Sequence, residues 1–146
     1  MKMKKFLSEK VLGKIAYKIS TNKPFETVFK NLEQAIINNG FSIITTHDMR
    51  KTFEKNNLEI SRDFEYRIIE LCNAQKAHKA LGMSKDLGIM MPKSIIISRE
   101  NNQTVLRYMQ MKPWMISWMF PTINLAPMSK KVMGTMKKIV HEAVEM

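Results

Sequence analysis

The sequence predicts a two-layer α+β domain: helices on one face of a mixed or antiparallel sheet of about five strands. Three features carry that reading. Short runs alternate apolar and polar residues, longer stretches repeat apolar residues every three or four positions, and the two kinds interleave along 146 residues without an internal repeat. A chain of this length buries a real core within one domain. Apolar residues at 45% and charged residues at 25% supply the material for that core and its surface.

The expected organisation is a basic amphipathic arm, residues 1–13, followed by a single domain, residues 14–146. In the arm, Phe6, Leu7, Val11 and Leu12 stand against lysines over residues 3–12. A helix that short is marginal in water and needs a surface to lie on. Ile15, Tyr17 and Ile19 alternate with Ala16, Lys18 and Ser20, a strand period. Pro24 at a first helical turn opens a helix with Phe25, Val28, Phe29, Leu32, Ile36 and Ile37 on one side, ended by Asn38-Asn39-Gly40. Phe41–His47 reads as a strand with Phe41, Ile43, Thr45 and His47 on one face, and Met49–Lys55 as a short helix or turn.

The stretch from Phe64 to Arg99 organises the rest. A strand over Phe64–Cys72 meets Asn73, an N-cap whose side-chain oxygen serves free helix amides, and a helix over Ala74–Leu81 closed by Gly82. Met91-Pro92-Lys93 opens the strand Ser94–Ser98. Asn101-Asn102 suits a hairpin tip because Asn tolerates positive φ, and Thr104–Met111 returns. In residues 112–127 three prolines oppose a continuous helix, yet both tryptophans lie here. So apolar a segment must be covered by the fold, a second subunit or a membrane. A last helix, Ser129–Val144, turns Val132, Met136, Ile139, Val140 and Ala143 inward.

Charge is placed unevenly within the net +11. Residues 1–23 carry seven Lys and one Glu, residues 24–72 six bases and eight acids, and residues 73–112 seven bases and two acids. A basic arm before a near-neutral stretch suits an anionic surface such as a bilayer leaflet or nucleic acid, the plainer reading being a set of solvated lysines. Nucleic acid is disfavoured because the bases do not alternate with aromatics as a stacking platform requires. Cys72 is the only cysteine, which fits a reducing, cytoplasmic setting. Charges interrupt every apolar run near the N-terminus, so no signal-peptide core is expected, and no stretch reaches the ~20 apolar residues of a spanning helix.

Candidate chemistry is sparse. Cys72 precedes a helix N-terminus, which favours a thiolate and admits a thiol-dependent enzyme, while a buried structural thiol is the commoner fate. His78 on the helix, and His47 beside Asp48, would join Cys72 in a zinc or copper site if the three converged. Ten of the fourteen methionines lie between Met83 and Met136. Met109 and Met111 at strand spacing would present two soft sulfurs together, so a soft metal at Cys72, His78, Met109 and Met111, or haem, is one expectation. His47, Asn73 and Trp114 complete the candidate ligand set. Methionine also fills adaptable cores and contacts, and Trp114, Met115, Trp118, Met119 and Phe120 suit a dimer interface or a membrane wedge. No catalytic triad, Walker loop, dinucleotide glycine fingerprint or His-Glu-x-x-His run occurs, so no catalytic residue is assigned.

The ordered set of Gly40-Phe41, His47-Asp48, Cys72-Asn73, Ala74-x-x-Ala77-x-x-x-Leu81, Met91-Pro92 and His141-Glu142-Ala143 resembles the bacterial and archaeal family called domain of unknown function 302. The resemblance spans about residues 14–145. It implies a small α+β fold that forms homodimers, and it brings no established activity. Many relatives carry Leu-Pro-Cys where this chain has Met91-Pro92-Lys93, so a role relying on that second cysteine does not transfer. The expected protein is a cytoplasmic homodimeric binding or accessory module, with a peripheral membrane protein and a thiol enzyme as the alternatives.

Overall fold

The computed structural model describes all residues, Met1–Met146. Its helices are α1 (Lys2–Ile15), α2 (Phe25–Asn38), α3 (Met49–Lys55), α4 (Ala74–Met83), α5 (Pro113–Met119) and α6 (Ala126–Glu145). Its strands are β1 (Ala16–Thr21), β2 (Ser42–Asp48), β3 (Tyr66–Cys72), β4 (Lys93–Glu100) and β5 (Gln103–Met109), with a 3₁₀ segment at Lys85–Met90. The five strands form one sheet in the order β1-β5-β4-β3-β2, antiparallel throughout. The two strands that flank α2 in sequence therefore lie at opposite edges, and α2 crosses the face between them. With α6 beside it, α2 makes the second layer of an α+β sandwich.

Apolar burial is one-sided. Ile69 and Leu71, Ile95 and Ile97, and Leu106 and Tyr108 are the buried inward pairs of β3, β4 and β5. Register aligns them, with Ile69 opposite Ile95, Ile95 opposite Tyr108, and Ile97 opposite Leu106. Onto this surface α2 lays Phe25, Val28, Leu32, Ala35 and Ile36, and α6 lays Met136, Ile139, Val140 and Ala143. Tyr17 and His141 share a 2.6 Å hydrogen bond that ties β1 to α6. Burial, and then the neighbouring Tyr17, push the Tyr108 hydroxyl up to about 12. At the rim Arg67 pairs through two nitrogens with Glu26, at 2.6 and 3.1 Å, and lies over the rings of Phe25 and Phe29. The opposite face carries no covering layer; α3 guards one corner, where Phe53 packs on Phe64 and Phe64 stacks on Tyr66.

Local rules explain most boundaries and the departures from expectation. Asn73 Oδ1 accepts from the Lys76 N–H, and Asn101 and Asn102 adopt φ of 51° and 62° at the hairpin tip. Gly82 does not close α4, which runs on to Met83 and ends at extended Ser84. The face expected for β2 breaks because a bulge between Ile43 and Thr45 shifts the register. Thr45 and His47 therefore lie on the uncovered face opposite Glu70 and Ile68, while Ile43 remains inward opposite Leu71. Two prolines start helices here. Pro113 opens α5 and Pro127 sits in the first turn of α6, positions where the missing N–H has no intrahelical acceptor to lose.

Ile139 is fully buried against the sheet, so Ile139→Ala should lower stability by about 2–5 kcal/mol in urea unfolding, whereas Ile37→Ala on the exposed side of α2 should change it by about 0.5 kcal/mol or less. The Arg67 hydrogen bonds hold the Glu26 carboxyl below the ordinary carboxylate value. Its stabilisation is thus present above the unfolded value and fades as pH falls through the folded one. Glu26→Gln should flatten the loss of stability below about pH 5, measured as melting temperature against pH.

Candidate ligand cavity

A 20-residue helix is about 30 Å long, more than the length of any strand in this sheet, so α6 overhangs it. Its second half closes the main core. Its first half meets a smaller cluster in which Ala80 of α4, Leu87 of the 3₁₀ segment, Ile116 of α5 and Leu125 are buried. Where the two clusters meet, a cavity of about 110 Å³ remains. Phe41, Leu71, Val132 and Met133 wall it from the main core side, and Ala80, Leu87, Ile116 and Leu125 from the other. Met90, Met91, Met111 and Met128 add thioethers, so the interior is soft and apolar.

Five polar residues also line it: Cys72, Asn73, Lys76, Lys93 and Ser129. No carboxylate does. Lys93 begins β4 opposite Leu71, on the inward side of the sheet, and burial pushes its ammonium below the ordinary lysine value. Lys76 is lowered by burial and then by the charge of Lys131 on α6, with its ammonium 5.7 Å from the centre of the Phe41 ring. Ser129 Oγ is buried without a hydrogen-bond partner, and an unmet buried hydroxyl costs roughly 1–3 kcal/mol. Two unpaired lysines therefore border an otherwise greasy space, and Ser129 beside them carries an idle hydroxyl.

The candidate residues read from the sequence divide. Cys72, Asn73 and Met111 line the cavity; His47, His78, Met109 and Trp114 do not. On α4 the cavity stripe is Lys76, Ala77 and Ala80 after the Asn73 cap, so His78 and Leu81 fall on the exposed side. His47 stands on the uncovered sheet face, 3.5 Å from Glu70. Met109 and Met111 separate because β5 ends between them: Met109 is 66% exposed, and Met111 turns into the cavity. The expected ligand set Cys72, His78, Met109 and Met111 is thus not assembled at one point, and no three His, Cys, Asp or Glu gather as an ion site. Cys72 is half-buried and hydrogen-bonds to no histidine. Lys76, Lys93 and Ser129 were not foreseen as site residues. Strand alternation carries the signal for Lys93, which shares a face with Ile95 and Ile97.

Two apolar surfaces remain open. On α5, Ile116 points inward while Trp114 and Trp118, one turn apart, are 69% and 81% exposed. On α1 no residue is buried. At 100° per residue, Lys10 and Lys14 fall in the same sector as Met3, Phe6, Leu7 and Val11, so the arm is helical but its lysines interrupt the apolar stripe. No helix is long and apolar enough to cross a membrane.

One covered sheet face, with an apolar cavity between the overhanging helices, defines a small α+β module with a candidate small-molecule site. The chain belongs to the family described as Domain of unknown function DUF302, whose model matches residues 17–143 and leaves α1 outside. Its fold is similar to the crystal structure of an uncharacterized conserved protein DUF302 from Bacillus stearothermophilus. The TM-score is 0.76 at 19% identity, over 88% of this chain and 98% of that one. No curated protein matches.

Proposed function

We propose that this chain is a binding module that takes a small apolar molecule into the cavity between α4, α5 and α6 and works as a homodimer. The observation that carries the reading is the cavity itself: 14 of its 19 lining residues are hydrophobic, and it lies between two otherwise well-buried clusters. Small-molecule sites are mostly apolar concavities with a few placed polar groups, which is this composition. A volume of about 110 Å³ is somewhat below that of an engineered cavity of about 150 Å³ that holds benzene, which sets the ligand at a handful of carbon atoms.

The dimer reading rests on α5. Trp114, Trp118 and Met119 are exposed on a helix whose other side, with Met115 and Phe120, packs toward the protein. Aromatic and methionine side chains are enriched in protein contacts, and a twofold pairing would cover the same patch on both copies. The same two indoles and the lysines of α1 favour a second reading, a peripheral contact with anionic lipid.

Ala77→Phe fills the cavity from α4. With wild type, hexan-1-ol should raise the melting temperature, and the variant should lose that shift; an unshifted wild type sinks the ligand reading. Native mass spectrometry should give a dimer for wild type and a monomer for the Trp114→Ala/Trp118→Ala pair. A wild-type monomer that sediments with vesicles containing phosphatidylserine favours the lipid contact instead.

A further inference from the structure

We propose that the cavity selects a short-chain monocarboxylate, its hydrocarbon tail among the methionines and its carboxylate against Lys93, Lys76 and Ser129. The inference deepens the ligand reading above and rests on it.

Charge complementarity is the argument. An apolar cavity with a neutral guest needs no ammonium groups, and burying them is unfavourable unless they meet an opposite charge. Here two lysines line one cavity from different elements, Lys76 from α4 and Lys93 from β4, and neither has an ion-pair partner among the protein's carboxylates. Residues 73–112 hold only two acids. Glu100 pairs with Arg107, whose strand position places it on the uncovered sheet face, and Asp86 does not line the cavity. The local field therefore favours an anion. A third, independent feature points the same way: Ser129 Oγ, buried and unpartnered, is a donor without an acceptor. A carboxylate accepts from a hydroxyl and pairs with ammonium groups, so one guest group answers all three. The depressed lysines agree, since a bound anion would restore the charged form that burial disfavours.

The length of the guest follows from the space. With a methionine-rich wall that adapts its shape, four to six carbons is the expected range, on the order of the benzene-sized guest of a comparable cavity.

Isothermal titration with hexanoate, hexan-1-ol and hexylamine tests this on the wild-type chain. Hexanoate should bind at least tenfold more tightly than hexan-1-ol, and hexylamine should not bind. Lys93→Met keeps the stem volume and removes the charge; it should cost hexanoate at least tenfold while leaving hexan-1-ol unchanged, and Ser129→Ala should cost hexanoate a few fold. Hexyl phosphate as a fourth probe separates sources of negative charge: a preference for it over hexanoate overturns the carboxylate. Equal affinity for alcohol and acid overturns the anion selection and leaves the apolar-ligand reading standing. No binding of any probe removes both.

Discussion

The structure depends on burying one face of its sheet and not the other. Five antiparallel strands present their inward residues to only two helices, so α2 and α6 must together cover the whole of that face. The buried residues obey this division: the large aliphatic side chains of β3, β4 and β5 and the inner stripes of both helices make one sixteen-residue cluster. At about 25 cal/mol per Å² of apolar surface, this cluster is the main favourable term in folding. The polar ties around it, Tyr17 with His141 and Arg67 with Glu26, are short but sit at its rim, where water screens them. They fix the helices in place on the sheet more than they hold them there.

The cavity is a consequence of that division. Since α6 is longer than its seat, the turns that project past the sheet need their own partners, and α4, the 3₁₀ segment and α5 supply them. Only four residues are fully buried there, against sixteen in the main core, and a void remains where the two clusters meet. A void lined by leucine, isoleucine and methionine alone would lose contacts and collapse or be refilled by larger side chains. This one keeps Lys93 on an inward strand position and a bare Ser129 hydroxyl. Groups that are costly in an empty apolar space are understandable in one that is filled by a polar-ended guest.

Much of the fold was legible because its signals are local. The apolar spacing of α2, the Asn73 cap and the paired asparagines of the β4–β5 hairpin each act within a few residues. The misreadings have physical sources of the same scale. Pro113 and Pro127 look like helix breakers, yet proline is well placed in a first turn, so the spacing shows no helix at α5 and starts α6 three residues late. The bulge in β2 has no marker in Ser42-Ile43-Ile44-Thr45 and reverses the side on which His47 lies. The site was less legible than the fold. Methionine spacing suggested Met109 with Met111, but strand alternation holds only while the strand does, and β5 stops at Met109. Lysines are usually solvated, which hid Lys76 and Lys93 among many that are.

The cavity and the exposed apolar surface meet in α5. A seven-residue helix has little stability of its own, so its position is set by what it packs against. On one side that is Ile116, inserted into the cavity wall beside Leu87 and Leu125; on the other, Trp114 and Trp118 stand exposed. A partner that grips the indoles also fixes Ile116, and a guest that fills the cavity steadies the helix that presents the indoles. Were both events to occur, linkage would make each favour the other to the same extent, since each would spare the other part of the cost of ordering α5.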